Sequence, residues 1–183
     1  MDLIIKNAES FSYSDSDIKR LLDDDVRIIR YPELANMKSI DQILGGTSCA
    51  CILYMTKANF GHWTALIKDP GGQPGTIEIF DPYGMKPDEE LKYISDEFKQ
   101  ESNQERQHLS YIAANDLKEG KIKDIFYNKY PLQSELANTN TCGRWCAIRC
   151  LLKRLSIQEF VPLFIDQKLP PDAYVTLMTI VNK

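Results

Sequence analysis

Two strand-length runs joined by a Gly/Pro-rich connection limit what this chain can fold into more than any other feature. Gly61-His62-Trp63-Thr64-Ala65-Leu66-Ile67 precedes Asp69-Pro70-Gly71-Gly72-Gln73-Pro74-Gly75, and Thr76-Ile77-Glu78-Ile79-Phe80-Asp81 follows it. Such a pattern predicts an antiparallel hairpin. With the turn centred between Gly71 and Gly72, His62 faces Asp81 directly across the two strands. Opposed residues have Cβ atoms about 4.5–5.5 Å apart, close enough for a carboxylate to accept from an imidazole N–H. The hairpin by itself therefore proposes a His/Asp couple.

Elements on either side of the hairpin point to an α+β protein. Ser14-Asp15-Ser16-Asp17 ahead of Ile18, Leu21 and Leu22 predicts a capped amphipathic turn or two. A short strand over residues 26–31 is broken at Pro32, and a short helix over 39–44 is closed by Gly45-Gly46. Residues 49–55 form a continuous apolar run, expected in the sheet interior. Helices are predicted over 88–99, around 109–117, over 142–155 and from Asp172, with a strand over 125–130. No repeat, low-complexity stretch or linker divides the chain, so residues 1–183 are expected to be one domain.

A second chemical signal is Asn140-Thr141-Cys142-Gly143-Arg144-Trp145, where a polar loop gives way to an apolar helix. Cys142 is thereby placed at a helix N-terminus, whose unpaired N–H groups and partial positive charge favour thiolate and can hold an oxyanion. Such a nucleophile needs a base. Of the two histidines, His108 lies in the charged run Glu105-Arg106-Gln107-His108 and reads as solvated, which leaves His62. In a Cys/His/Asp arrangement His62 takes the thiol proton and Asp81 fixes its tautomer and stabilises the imidazolium. Trp63 shields that pair from water and is expected to contact substrate. Gln133, ahead of the polar loop, is the candidate oxyanion donor.

In combination these motifs resemble the adenain-like cysteine proteases. These are the maturation proteases of adenoviruses, related to SUMO-specific proteases and to enzymes of large DNA viruses. Gly61-His62-Trp63, Asp81-Pro82-Tyr83-Gly84 with Pro87-Asp88, Gln133 and Thr141-Cys142-Gly143-Arg144-Trp145 most resemble the versions in virophages and Polinton-type elements. Ile18, Tyr31-Pro32-Glu33-Leu34 and Ile40-Asp41 also fit that pattern, so the resemblance spans most of residues 14–155.

The resemblance implies an α+β papain-like or adenain-like fold, a mixed sheet packed on a central helix bearing the catalytic cysteine. It implies a triad of Cys142 as nucleophile, His62 as base and Asp81 as orienting carboxylate, with Gln133 as oxyanion donor. The implied activity is endopeptidase cleavage of viral capsid or other structural precursors at small-residue sites of Gly-Gly or Gly-X type, in the virion and the host-cell cytoplasm. A monomer without cofactor or metal is the expected form, and neither DNA nor an activating peptide is indicated.

Composition narrows the remaining choices. A chain of 183 residues, 43% hydrophobic with net charge −4 and pI about 5.3, has material for a real core but not for a broad basic surface for nucleic acid. The N-terminal Met1-Asp2-Leu3-Ile4-Ile5-Lys6 does not read as a signal peptide, and no uncharged apolar run approaches the roughly 20 residues of a membrane span. A soluble intracellular protein is expected. Its five cysteines, Cys49, Cys51, Cys142, Cys146 and Cys150, are an odd number at spacings unlike a disulfide framework or a zinc site. Rival readings are an isopeptidase of ubiquitin-like modifiers, an acyltransferase, and a noncatalytic or metal-binding assembly protein that keeps the fold as a binding module.

Overall fold

Alternating side chains along the central strands give the sheet two covered faces. The computed structural model describes residues 2–23, 25–136, 138–165 and 167–180. Among these, five strands lie side by side in chain order: β1 (Arg27–Arg30), β2 (Cys49–Lys57), β3 (Phe60–Lys68), β4 (Thr76–Phe80) and β5 (Asp124–Tyr127). The outer pairs β1/β2 and β4/β5 are parallel, whereas β2/β3 and β3/β4 are antiparallel. The sheet is therefore mixed and the class is α+β. Among the described residues, no helix is long and apolar enough to cross a membrane.

The helices are α1 (Asp2–Glu9), α2 (Asp15–Leu21), α3 (Ile40–Leu44), α4 (Asp96–Glu101), α5 (His108–Lys118), α6 (Cys142–Leu151), α7 (Ile157–Phe160) and α8 (Pro171–Met178). Cys51, Leu53, Ala65 and Phe80 face the layer built from α2, α6, α7 and α8, through Ile18, Trp145, Phe160 and Val175. Ala50, Ile52, Leu66 and Ile79 face the opposite layer of α3 and α5, through Ile43, Leu109 and Ile112. Strand β2 is buried on both faces over its first six residues, which is why it reads as a continuous apolar run rather than an alternation.

Local chemistry explains where the elements begin and end. Ser14 caps α2 in a reciprocal box with Asp17, and Ser39 caps α3, which ends on Gly45 at φ 59°. Three expected spans are corrected. The helix over 88–99 is instead a 3-10 turn, Glu89–Tyr93, followed by α4, because Ser95 caps a new start. The helix from Cys142 stops at Leu151, and Ser156 with Glu159 forms a second capping box that opens α7. Strand β5 ends at Tyr127 rather than 130, as Asn128 turns inward to bond Tyr130.

The hairpin is present with its register moved by two residues. Ala65 pairs with Phe80 and Leu66 with Ile79, so Asp81 falls level with Thr64 rather than with His62. An even shift keeps both side chains on the same face. His62 and Asp81 are therefore diagonal rather than directly opposed, still within reach of an imidazole and a carboxylate.

Candidate functional site

His62 sits in β3 opposite Tyr54 of β2, with Gly61 before it. A side chain at Gly61 is sterically impossible, since its Cβ would stand 1.8 Å from the Tyr54 carbonyl oxygen. The close approach of β2 and β3 at this point depends on that glycine. His62 is 7% exposed, and its ring stacks on Tyr83 with centroids 4.8 Å apart.

His62 Nε2 lies 3.2 Å from Asp81 Oδ1 and 3.8 Å from Glu90 Oε1. Asp81 is anchored at the end of β4: its Oδ1 accepts from the Tyr83 N–H at 2.7 Å, and its carbonyl accepts from Asn128 Nδ2 at 2.9 Å. Glu90 comes from the 3-10 turn after Pro87, and its buried Oε1 has no hydrogen-bond partner. Burial pushes Glu90 up to about 7; the His62 charge pulls it down and Asp81 pushes it up. Burial lowers His62, but the Asp81 charge and hydrogen bond, with Cys142 adding to them, outweigh it and hold the ring well above its ordinary value.

Cys142 and Gln133 are brought to the same place. Both line a cleft of about 350 Å³ together with His62, Tyr83 and Glu90. Cys142 opens α6 as the sequence predicts and is 8% exposed. Its position is set by Asp172 of α8, which accepts from Thr141 Oγ1, from Trp145 Nε1 at 2.9 Å and from the Ser134 N–H at 2.8 Å. Gln133 Nε2 donates to Tyr83 Oη at 3.1 Å and to the Thr139 carbonyl at 3.3 Å, while its Oε1 has no partner.

Trp63 is buried, donates from Nε1 to the Tyr13 carbonyl at 3.1 Å, and lies with Cys142 in the wall of a second cleft of about 310 Å³. His108, expected to be solvated, is half-buried against the Tyr31 ring at the start of α5 and does not line this site.

This geometry corrects the expectation of a cysteine protease. Among the described residues, the one group of three His, Cys, Asp or Glu side chains whose ligating atoms all lie within 4.8 Å of one another is His62, Asp81 and Glu90. No cysteine belongs to it, so the closed constellation is not the expected Cys-His-Asp triad. The enzyme assignment, with its thiol-protease and maturation-protease description, is set aside on that ground. The physical reason is a second acid: His62 Nε2 is approached by two carboxylates, where sequence spacing supplies one.

Glu90 was invisible to sequence reading because Glu89 and Glu90 both suit the first turn of a helix, and nothing local says which is buried. Asp172 shared that fate as an ordinary helix-starting acid.

No protein-family model matches the chain. It is 36% identical over 180 residues to "Uncharacterized protein V9" of Sputnik virophage, an alignment that covers 96% of this chain and 98% of the relative. At that identity over nearly the whole of both chains, the protein belongs to the same virophage protein family.

Proposed function

We propose that this protein is a noncatalytic metal-binding protein, in which His62, Asp81 and Glu90 hold one divalent cation at the floor of the cleft. The observation that carries this reading is the Glu90 Oε1 atom, buried, without a hydrogen-bond partner, and 3.8 Å from the same Nε2 that approaches Asp81 at 3.2 Å. Ligands bound to one cation at about 2.0–2.2 Å stand roughly 3–3.5 Å apart, so these separations need only a small inward movement of Glu90. One imidazole and two carboxylates suit zinc, manganese or ferrous iron. A cation there supplies the positive charge that two neighbouring buried carboxylates require. Three protein ligands leave a coordination position open toward the cleft that Cys142, Gln133 and Tyr83 line.

The scaffold in this reading is the adenain-like fold kept as a binding module, supported by the order His62, Asp81, Gln133, Cys142 and by α6 lying against β3. The setting proposed with it is particle assembly, with structural polypeptides of the virion as partners and the virion and host cytoplasm as locations; a relative from a virophage supports the viral setting alone.

Protein stripped with EDTA and titrated calorimetrically with Zn²⁺ or Mn²⁺ tests the site. One equivalent is expected to bind, with affinity falling at least about tenfold in Glu90→Gln and in His62→Ala. Saturating Zn²⁺ is also expected to slow iodoacetamide labelling of Cys142 several-fold. A Glu90→Gln variant that binds as tightly as the parent would falsify the assignment, as would a parent that binds no cation.

A further inference from the structure

We propose that Asp88 is a positioning residue for the cation site: its carboxylate ties the turn that carries Glu90 to the strand beside His62 and so sets how tightly the cleft holds a cation. This rests on the cation reading of the cleft and adds to it the group that fixes the third ligand in place.

Glu90 Oε1 has no hydrogen-bond partner to hold it, so its place is set by the turn behind it. That turn starts from Asp88, whose carbonyl accepts from the Leu91 N–H at 3.2 Å. Asp88 is 3% exposed, yet three donors meet its carboxylate, each from a different part of the chain. Tyr31 Oη donates to Oδ1 at 2.7 Å, Tyr54 Oη donates to the same oxygen at 3.0 Å, and the Ser110 N–H donates to Oδ2 at 2.8 Å. Burial and the Asp88 charge push both phenols up, so both stay protonated as donors. With its two oxygens taken, Asp88 stands outside the ligand group of His62, Asp81 and Glu90.

Tyr54 connects this carboxylate to His62. The two residues are directly opposed in β2 and β3, so their side chains leave the sheet on one face with Cβ atoms about 4.5–5.5 Å apart. One continuous run of contacts therefore leads from His62 through Tyr54 to Asp88 and on to Glu90. It fixes both sides of the 3.8 Å gap between His62 Nε2 and Glu90 Oε1. Ser110 Oγ adds a second tie, donating to the Pro87 carbonyl at 3.3 Å.

Backbone geometry at Asp88 is an independent sign of the same constraint. Its φ of 65° and ψ of 2° lie in the left-handed region, which a non-glycine residue occupies at a cost. The hydrogen bonds to its side chain hold it there, and the turn leaves in the direction that brings Glu90 to His62.

Asp88→Gly deletes the carboxylate while leaving a φ of 65° unstrained, and Asp88→Asn keeps one acceptor oxygen on a residue type that tolerates the left-handed region. After stripping with EDTA, Zn²⁺ affinity measured by calorimetry should fall about tenfold in Asp88→Gly and less in Asp88→Asn. In a Glu90→Gln background Asp88→Gly should cost under about twofold more, because the group it positions is already gone. A crystal structure of cation-free Asp88→Gly should show Glu90 Oε1 displaced from its 3.8 Å approach to His62 Nε2. Glu90 unmoved in that structure, or an equal loss of affinity in both backgrounds, overturns the proposal. A parent that binds no cation overturns the reading of the cleft instead, and the displacement of Glu90 then decides the positioning role alone. Should Asp88→Gly fail to fold, Tyr54→Phe, which removes one donor and no charge, takes its place in both measurements.

Discussion

Protonation at His62 and Glu90 is a matter of position rather than residue type. In the folded chain both hold a proton more tightly than their ordinary values of 6.5 and 4.5 allow, Glu90 because burial raises it to about 7 and His62 because Asp81 and Cys142 outweigh its own burial. At these two groups the native state therefore binds more protons than the unfolded state, so their contribution to stability falls as pH rises. Glu90 contributes that fall between about 4.5 and about 7, and His62 contributes from 6.5 upward through its raised folded value. Cation-free protein in EDTA should lose on the order of 3 kcal/mol across the Glu90 window, and Glu90→Gln should flatten that part of the curve. Urea midpoints measured against pH check this; a parent curve that rises with pH across the window contradicts it.

Helix α6 shows how one element is tuned to its neighbours. Its start at Cys142 was legible, because a polar loop meets an apolar helical pattern there. Its end was not, because Leu152 and Leu155 continue the apolar pattern while the capping signal Ser156-Ile157-Gln158-Glu159 opens the next helix. Gly143 looks dispensable in a helix, yet a Cβ there would stand 2.7 Å from Tyr13 Cβ and 3.2 Å from Trp63 Cδ1. Its absence lets α6 lie close to Tyr13 and to the indole beside His62. Gly143→Ala should cost about 1–3 kcal/mol by overpacking, although alanine is the better helix former. Chemical denaturation measures this directly, and a stabilised variant would show that the contact relaxes at no cost.

At the scale of the molecule, one buried ion pair ties the sheet to the helical layer. Glu78 of β4 accepts two 2.7 Å hydrogen bonds from Arg149 of α6, and their side chains are 1% and 0% exposed. Arg149 also donates to the carbonyls of Leu152 and Leu155, both at 2.9 Å, which secures the turn after α6. From sequence Arg149 reads as a cation favouring the negative end of its helix, and Glu78 as one polar residue in a strand. Folding puts them together in the core. Glu78→Ala leaves a guanidinium buried without its carboxylate and should cost about 3–5 kcal/mol, read from the denaturant midpoint. A loss under about 1 kcal/mol would mean that water or backbone carbonyls already satisfy Arg149.

The sequence by itself determined the local pattern: the hairpin, the caps of α2 and α3, the doubly buried β2 and the start of α6. Even with the hairpin register moved by two residues, the two-residue period of a strand kept His62 and Asp81 on one face. Only the tertiary structure decided which further groups join them. Glu90 reaches His62, and Asp172 supports Thr141 and Trp145, because segments distant in the chain pack together. Periodicity and capping are properties of neighbouring residues. Desolvation of a carboxylate or a thiol is set by whatever lies on the other side of it, and no local pattern of side chains encodes that.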